Sequence, residues 1–370
     1  MKAKFRFPSL KILDRYVLGK FISTYFFAIA LIIVVVVVFD YAEKLDDFTE
    51  SKVPMRTIVM DYYVNFIPFF INQFSGLFTF IAVIFFTSKM AYRTEIVAIL
   101  SSGTSFRRLM WPYFLGALMI ASLSLTLNLW IIPEAQKTRV DFETTYLSRK
   151  RKDKARFDNH IYRQVEPGTI LYLRNYTEAG KASFLALESY ESGSRTASLE
   201  AASASHDLKT NRWKASRYTM RTFDAEGNDS FSQHRNLDTL ININRYELGH
   251  INLLIKTMPY KELNQFLDQQ KRKGSDTIKI IEVERHSRVS YPISTFILTL
   301  IGVALSSRKV RGGTGLHIGL GITLCFSYIL IARFFEEFAK SGALEPWLGV
   351  WMPNILFSMI ALVLYLKAQK

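Results

Sequence analysis

The residue types that ordinarily carry covalent chemistry are scattered along this 370-residue chain. Its histidines, at 160, 206, 234, 250, 286 and 317, form no metal-ligand spacing. No Gly-x-x-x-x-Gly-Lys-Ser/Thr loop is present to cradle the phosphates of a nucleotide. His286, in Glu282-Val283-Glu284-Arg285-His286-Ser287-Arg288, is accounted for by a polar segment leading into an apolar one, and Glu336-Glu337 by a solvated helix end. The single cysteine, Cys325, excludes an intramolecular disulfide. No cofactor or metal is expected. The stretch that stands out is short and polar, Lys89-Met90-Ala91-Tyr92-Arg93-Thr94-Glu95-Ile96-Val97-Ala98-Ile99-Leu100-Ser101-Ser102-Gly103-Thr104-Ser105-Phe106-Arg107-Arg108. Residues 94–100 predict a short helix with a polar start, ended by Ser-Ser-Gly. Its chemistry is non-covalent, with Glu95 able to pair with a basic group on another surface.

The elements around this segment are written in six stretches that carry no Asp, Glu, Lys or Arg: 21–39, 62–88, 109–133, 289–307, 312–332 and 346–366. A helix needs about 20 apolar residues to cross a bilayer. Three spans, a polar insert over 134–288 and three more spans therefore predict a polytopic α-helical membrane protein with one large inserted domain. The net charge of +15 would raise nucleic acid or a membrane surface as partners of a soluble protein. Here it collects in short segments that alternate spans place on one side. They are the N-terminus (Lys2, Lys4, Arg6, Lys11, Arg15, Lys20), the loop before span 3 (Lys89, Arg93, Arg107, Arg108), the loop after span 4 (Arg308, Lys309, Arg311) and the tail (Lys367, Lys370). Basic short loops mark the cytoplasmic side, so the termini read as cytoplasmic, the insert as outside, and no nucleic-acid partner is expected. The cluster Arg149-Lys150-Arg151-Lys152-Asp153-Lys154-Ala155-Arg156 opposes that reading but lies in a long domain, where charge has little influence on topology. The first span is followed by Asp-Tyr-Ala-Glu and reads as a retained signal anchor, with no cleavage site.

Residues 10–17 either lie along the inner membrane surface or form the first turns of span 1. Span 2 contains Asn65, Pro68, Asn72 and Gln73, so one of its faces meets protein or a wet cavity. In the insert, residues 134–156 continue the third helix outward. Short strands are expected at 161–165, 170–176, 184–190, 196–204, 212–223 and 240–246, separated by turns such as Glu166-Pro167-Gly168. Their spacing suggests an antiparallel sandwich or jelly roll. Met258-Pro259 then opens a helix with Leu263, Phe266 and Leu267 on one face and Lys271-Arg272-Lys273-Gly274 at its end. The expected division is 1–133 (amphipathic start, spans 1–3, loop helix at about 89–108), 134–257 (β domain) and 258–370 (connecting helix, spans 4–6).

A short helix joined to two spans on the cytoplasmic face is what a membrane protein needs to dock a motor; the plainer reading is an amphipathic linker. Four segments resemble the LptF/LptG lipopolysaccharide-export permeases of Gram-negative bacteria: Leu13-Asp14-Arg15-Tyr16-Val17; the 94–108 loop with Pro112; Glu284-Arg285-His286-Ser287-Arg288-Val289-Ser290-Tyr291-Pro292; and Glu345-Pro346 with Trp351-Met352-Pro353-Asn354. The resemblance spans nearly the whole chain. It implies a permease that pairs with a second LptF/LptG-type subunit and a cytoplasmic ABC ATPase dimer. It also implies a periplasmic β-jelly roll that joins other jelly rolls, and lipopolysaccharide as cargo. On that likeness Glu95, Ile96, Val97, Leu100, Gly103 and Arg107 couple to the ATPase, while the chain itself carries no catalytic residue. Relatives hold basic residues near the outer end of span 1; here Lys44 stands among four acids, and Arg56 and Arg333 are further candidates for lipid phosphate. Rival readings are a permease for another lipidated cargo, a non-transporting scaffold or sensor, and an ion-driven transporter. The last calls for ionisable groups in mid-membrane, which these spans nearly lack.

Overall fold

Uncharged stretches of this length fold as helices because hydrocarbon offers the backbone no hydrogen-bond partner but itself. The computed structural model describes residues 11–147, 160–177, 180–207, 210–223, 229–243, 245–248, 251–307 and 314–368. The basic cluster at 149–156 lies outside the described residues. Among them, six helices are long and apolar enough to cross a membrane. In chain order the helices are α1 (Ile12–Glu50), α2 (Met55–Thr57), α3 (Val64–Gln73), α4 (Ser75–Tyr92), α5 (Glu95–Ser101), α6 (Phe106–Thr126) and α7 (Ile132–Phe142). After a β-sheet come α8 (Ile251–Thr257), α9 (Tyr260–Lys273), α10 (Ile278–Ser306), α11 (Thr314–Lys340) and α12 (Pro346–Lys367). The chain divides into two compact units. One comprises Met1–Lys44, Tyr63–Ile132 and Arg285–Lys370, the other Leu45–Tyr62 and Pro133–Glu284.

In the first unit α1 is one unbroken helix, so from Ile12 onward the amphipathic start forms the first turns of span 1. Span 2 departs from the expectation of one continuous helix. It is broken at Phe74 (φ −110°, ψ 10°), between α3 and α4, where Asn72, Gln73 and Ser75 cluster. Absence of charge sets the length of a span but not its continuity, because neighbouring polar side chains can satisfy a locally freed backbone. Two apolar clusters hold the unit together. One joins α1, α4, α5 and α6 through Val17, Phe21, Phe86, Ile96, Leu109 and Tyr113. The other joins α4, α10, α11 and α12 through Phe80, Ile84, Leu298, Cys325 and Phe357. Helix α4 contributes to both. Apolar contact alone gives little advantage over lipid, so hydrogen bonds fix the pairings. Asn354 donates to Ser290 Oγ at 2.8 Å and accepts from Tyr328 at 2.8 Å, tying spans 4, 5 and 6.

The second unit holds an antiparallel sheet of β1 (His160–Glu166), β2 (Thr169–Arg174), β3 (Lys181–Ala182), β4 (Phe184–Glu191), β5 (Ser194–Ala201), β6 (Ala204–Asp207), β7 (Arg212–Phe223) and β8 (Asp229–Leu240). The pairs Lys181↔Ser205 and Leu185↔Ala201 share one register. Strands β3–β4 and β5–β6 are therefore two long strands, each broken once, and neighbours in sequence pair as neighbours in space. The bent strands close on one core of Leu171, Leu173, Tyr176, Leu185 and Trp213, in the manner of a jelly roll. The last strand differs from the expected 240–246. It is Asp229–Leu240, paired with β7 along its length except at Asn236, and residues 245–248 form a 3₁₀ turn. Strand β8 is almost wholly exposed, so no buried face imposes apolar alternation on its sequence. The connecting helix runs as expected: α9 buries Leu263, Phe266 and Leu267 and ends at Gly274.

Trp213 is fully buried and stacks on His206 with ring centroids 4.4 Å apart. Trp213→Ala should cost about 3–5 kcal/mol of stability in the β domain. Limited proteolysis of the full chain should then cut within 160–240 while the spans stay protected.

Candidate functional site

The loop between spans 2 and 3 is built by two reversals of the backbone around α5. Thr94, ahead of the helix, has φ +62° and caps nothing with its side chain. Gly103, past its end, has φ +84°, a conformation that side-chain-bearing residues rarely adopt. Ser105 then starts α6, its Oγ accepting from the Arg108 N–H at 3.3 Å. The inner face of α5 is held by Ile96, buried in the first apolar cluster with Leu100 packed against it. The outer face is apolar and open: Val97 is 48% exposed, and Tyr92, at the end of α4, 64%. Arg107 and Gly103 are exposed. Of the six residues expected to act together, Val97, Gly103 and Arg107 therefore face outward, whereas Ile96 anchors the helix from within.

Glu95 is half-buried and accepts a hydrogen bond from the Tyr16 hydroxyl at 3.0 Å. Beside this contact lies a bidentate ion pair. Both terminal nitrogens of Arg108 donate to Asp14, each at 2.6 Å, and the Lys11 N–H donates to the same carboxylate at 2.8 Å. Asp14 is only 1% exposed. The local chemistry explains the arrangement. Arg107 and Arg108 lie in the first turn of α6, at the positive end of its dipole, where a cation is unfavourable. Asp14 supplies the counter-charge and at the same time caps α1. It precedes the uncharged stretch of span 1. This pairing was missed in the sequence, although Asp14 is the one acid among the basic residues of the N-terminal segment.

Inside the membrane, the polar residues of span 2 meet both protein and a cavity. Asn72 donates to Asn128 Oδ1 at 2.7 Å and accepts from Ser124 at 2.6 Å. Gln73, with Tyr291, Ser294, Tyr328 and Arg333, lines a cavity of about 180 Å³ beside the break at Phe74. Of the basic residues expected to meet lipid phosphate, Lys44 and Arg333 each pair with a carboxylate. Lys44 pairs with Asp40 at 2.5 Å. Arg333 is half-exposed and pairs with Glu336 at 3.2 Å, a carboxylate that also holds Lys340 and Tyr291. Arg56 is exposed in α2, in the other unit.

Six spans, a β insert and a small helix presented by the loop between spans 2 and 3 define a multi-pass membrane protein with an inserted β domain. The family model described as "Lipopolysaccharide export system permease LptF/LptG" matches residues 15–367, and the chain belongs to that family. No curated protein matches the chain. Family members are permease subunits and not themselves catalytic. The chain is thus a permease subunit of a lipopolysaccharide export transporter and a multi-pass protein of the inner membrane.

Span 1 meets span 3 at Gly116, where an added Cβ would lie 2.3 Å from the Phe21 ring. Phe21 is fully buried and cannot withdraw. Gly116→Ala should therefore destabilise the unit by about 1–3 kcal/mol, overpacking outweighing the better helix propensity of alanine. A lowered melting temperature of the detergent-solubilised protein would register it.

Proposed function

We propose that this subunit converts ATP hydrolysis in a bound partner into release of lipopolysaccharide from the inner membrane. The single observation behind this reading is the open apolar face of the loop, with Val97 of α5 and Tyr92 at the end of α4 exposed. An apolar patch rimmed by charge in such a place is the mark of a protein contact. An ABC ATPase dimer docks on this face, with Glu95 paired to a basic residue of the ATPase and Arg107 at the rim. A second LptF/LptG-type permease completes the membrane part, and lipopolysaccharide occupies the space between the two. The chain shifts between open and closed forms of that space, and the partner's ATP cycle drives the shift. The termini lie in the cytoplasm and the insert in the periplasm, as the basic short loops favour. Lys44, Arg56 and Arg333 are the cations offered to the lipid phosphates. Strand β8, paired on one side only, is the edge on which a neighbouring jelly roll adds a strand and carries the cargo onward.

Charge reversal at Glu95 tests the docking. In E95K, ATPase recovered with the permease from native membranes should fall about tenfold, equivalent to ~1.4 kcal/mol, and lipopolysaccharide release should fall with it. Because Glu95 also accepts from Tyr16, Y16F serves as the control: it removes the internal hydrogen bond, keeps the charge and should retain the ATPase. Undiminished ATPase recovery with E95K would sink the docking role. A co-purified lipid other than lipopolysaccharide would redirect the cargo assignment.

A further inference from the structure

We propose that Asp14 and Arg108 are positioning residues that make α5, span 1 and span 3 move as one body, so that a push on α5 enters the membrane through span 1. This inference rests on the docking of the ATPase at α5 and goes beyond it by naming the path the motion takes.

Two joints flank α5. Thr94 and Gly103 both have positive φ, both are exposed or nearly so, and nothing stands within 4 Å of where a side chain at Gly103 would begin. A helix hung between such joints can pivot, and a pivoting helix dissipates a push instead of passing it on. The contacts to α1 oppose that pivot. Arg108, three residues past the joint that ends at Ser105, grips Asp14 through two parallel hydrogen bonds of 2.6 Å. A bidentate fork fixes orientation as well as distance. Tyr16, two residues further along α1, holds Glu95 at the start of α5. The loop is thus tied to span 1 at both of its ends.

Above the tie the two spans leave no room to slide. Two turns along each helix, Phe21 lies against Gly116. The rings of Phe21, Phe86 and Tyr113 stack across spans 1, 2 and 3, with centroids 5.8, 5.4 and 6.2 Å apart. Contacts at Asp14–Arg108 and Phe21–Gly116 also show that α1 and α6 run in the same direction, so an axial push on one is an axial push on the other. An apolar contact at the membrane edge could slip against lipid. A bidentate ion pair resists separation because parting it strands a buried carboxylate.

The test uses the whole transporter in proteoliposomes, with its ATPase and partner permease. It reads lipopolysaccharide released per ATP hydrolysed. D14N and R108Q should keep ATPase association and hydrolysis within about twofold of wild type. Release per ATP should fall about tenfold, and the exchanged pair D14R/R108D should restore it. A merely structural pair would lower yield and melting temperature but leave the ratio unchanged, and that result overturns the inference. Should the single variants fail to fold, D14C/R108C joined by a short bifunctional thiol reagent gives the answer: bridging should restore the ratio, and a bridged protein that hydrolyses without release overturns the proposal. The two levels separate cleanly. If E95K behaves as wild type, docking at α5 falls and this inference with it. If E95K is defective and D14N is not, docking stands and the tie alone is wrong.

Discussion

Water does not compete for hydrogen bonds inside a bilayer, and most of this structure follows from that one condition. It obliges the uncharged stretches to be helical. It also makes each polar side chain within them a fixed point, because such a group must find a partner on a neighbouring helix. Asn72 does so with Asn128 and Ser124, and Asn354 with Ser290 and Tyr328. Those knots, more than the surrounding phenylalanines, determine which spans are neighbours and at what height.

The membrane unit is organised around two apolar clusters that share α4. The loop helix belongs to the first cluster only, through Ile96. The cavity lined by Gln73, Tyr328 and Arg333 borders the second. The loop helix and the cavity thus border different clusters, which meet on α4. Span 2, of which α4 is the second part, is interrupted at Phe74, beside the cavity.

Much of this organisation is legible in the residues. The six spans follow from charge-free length alone, and α5 from a polar start and a Ser-Ser-Gly stop. Helix α9 is visible because Leu263, Phe266 and Leu267 recur at helical spacing above a basic end. What escaped detection shares one cause: it depends on partners remote in sequence. The link from Asp14 to Arg108 crosses 94 positions. The break in span 2 falls between Asn72 and Ser75, whose side chains bond Asn128, Ser124 and Tyr25 of other spans. Strand β8 is polar on both faces and owes its existence to pairing with β7, so neither alternation nor propensity announced it. Conversely, the apolar residues Ile241 and Ile243, which suggested a strand at 240–246, are buried without belonging to one.

Cys325, the only cysteine in the sequence, is wholly buried in the second apolar cluster, which residues of spans 2, 4, 5 and 6 form. Its sulfur faces neither the aqueous phases nor the lipid in this unit, so polar alkylating probes have no native target here. Spin labels or fluorophores attached to introduced cysteines would therefore report from the chosen positions alone. Intramolecular distances across the membrane unit become measurable in a chain whose native cysteine is left in place, with the packing of the second apolar cluster undisturbed.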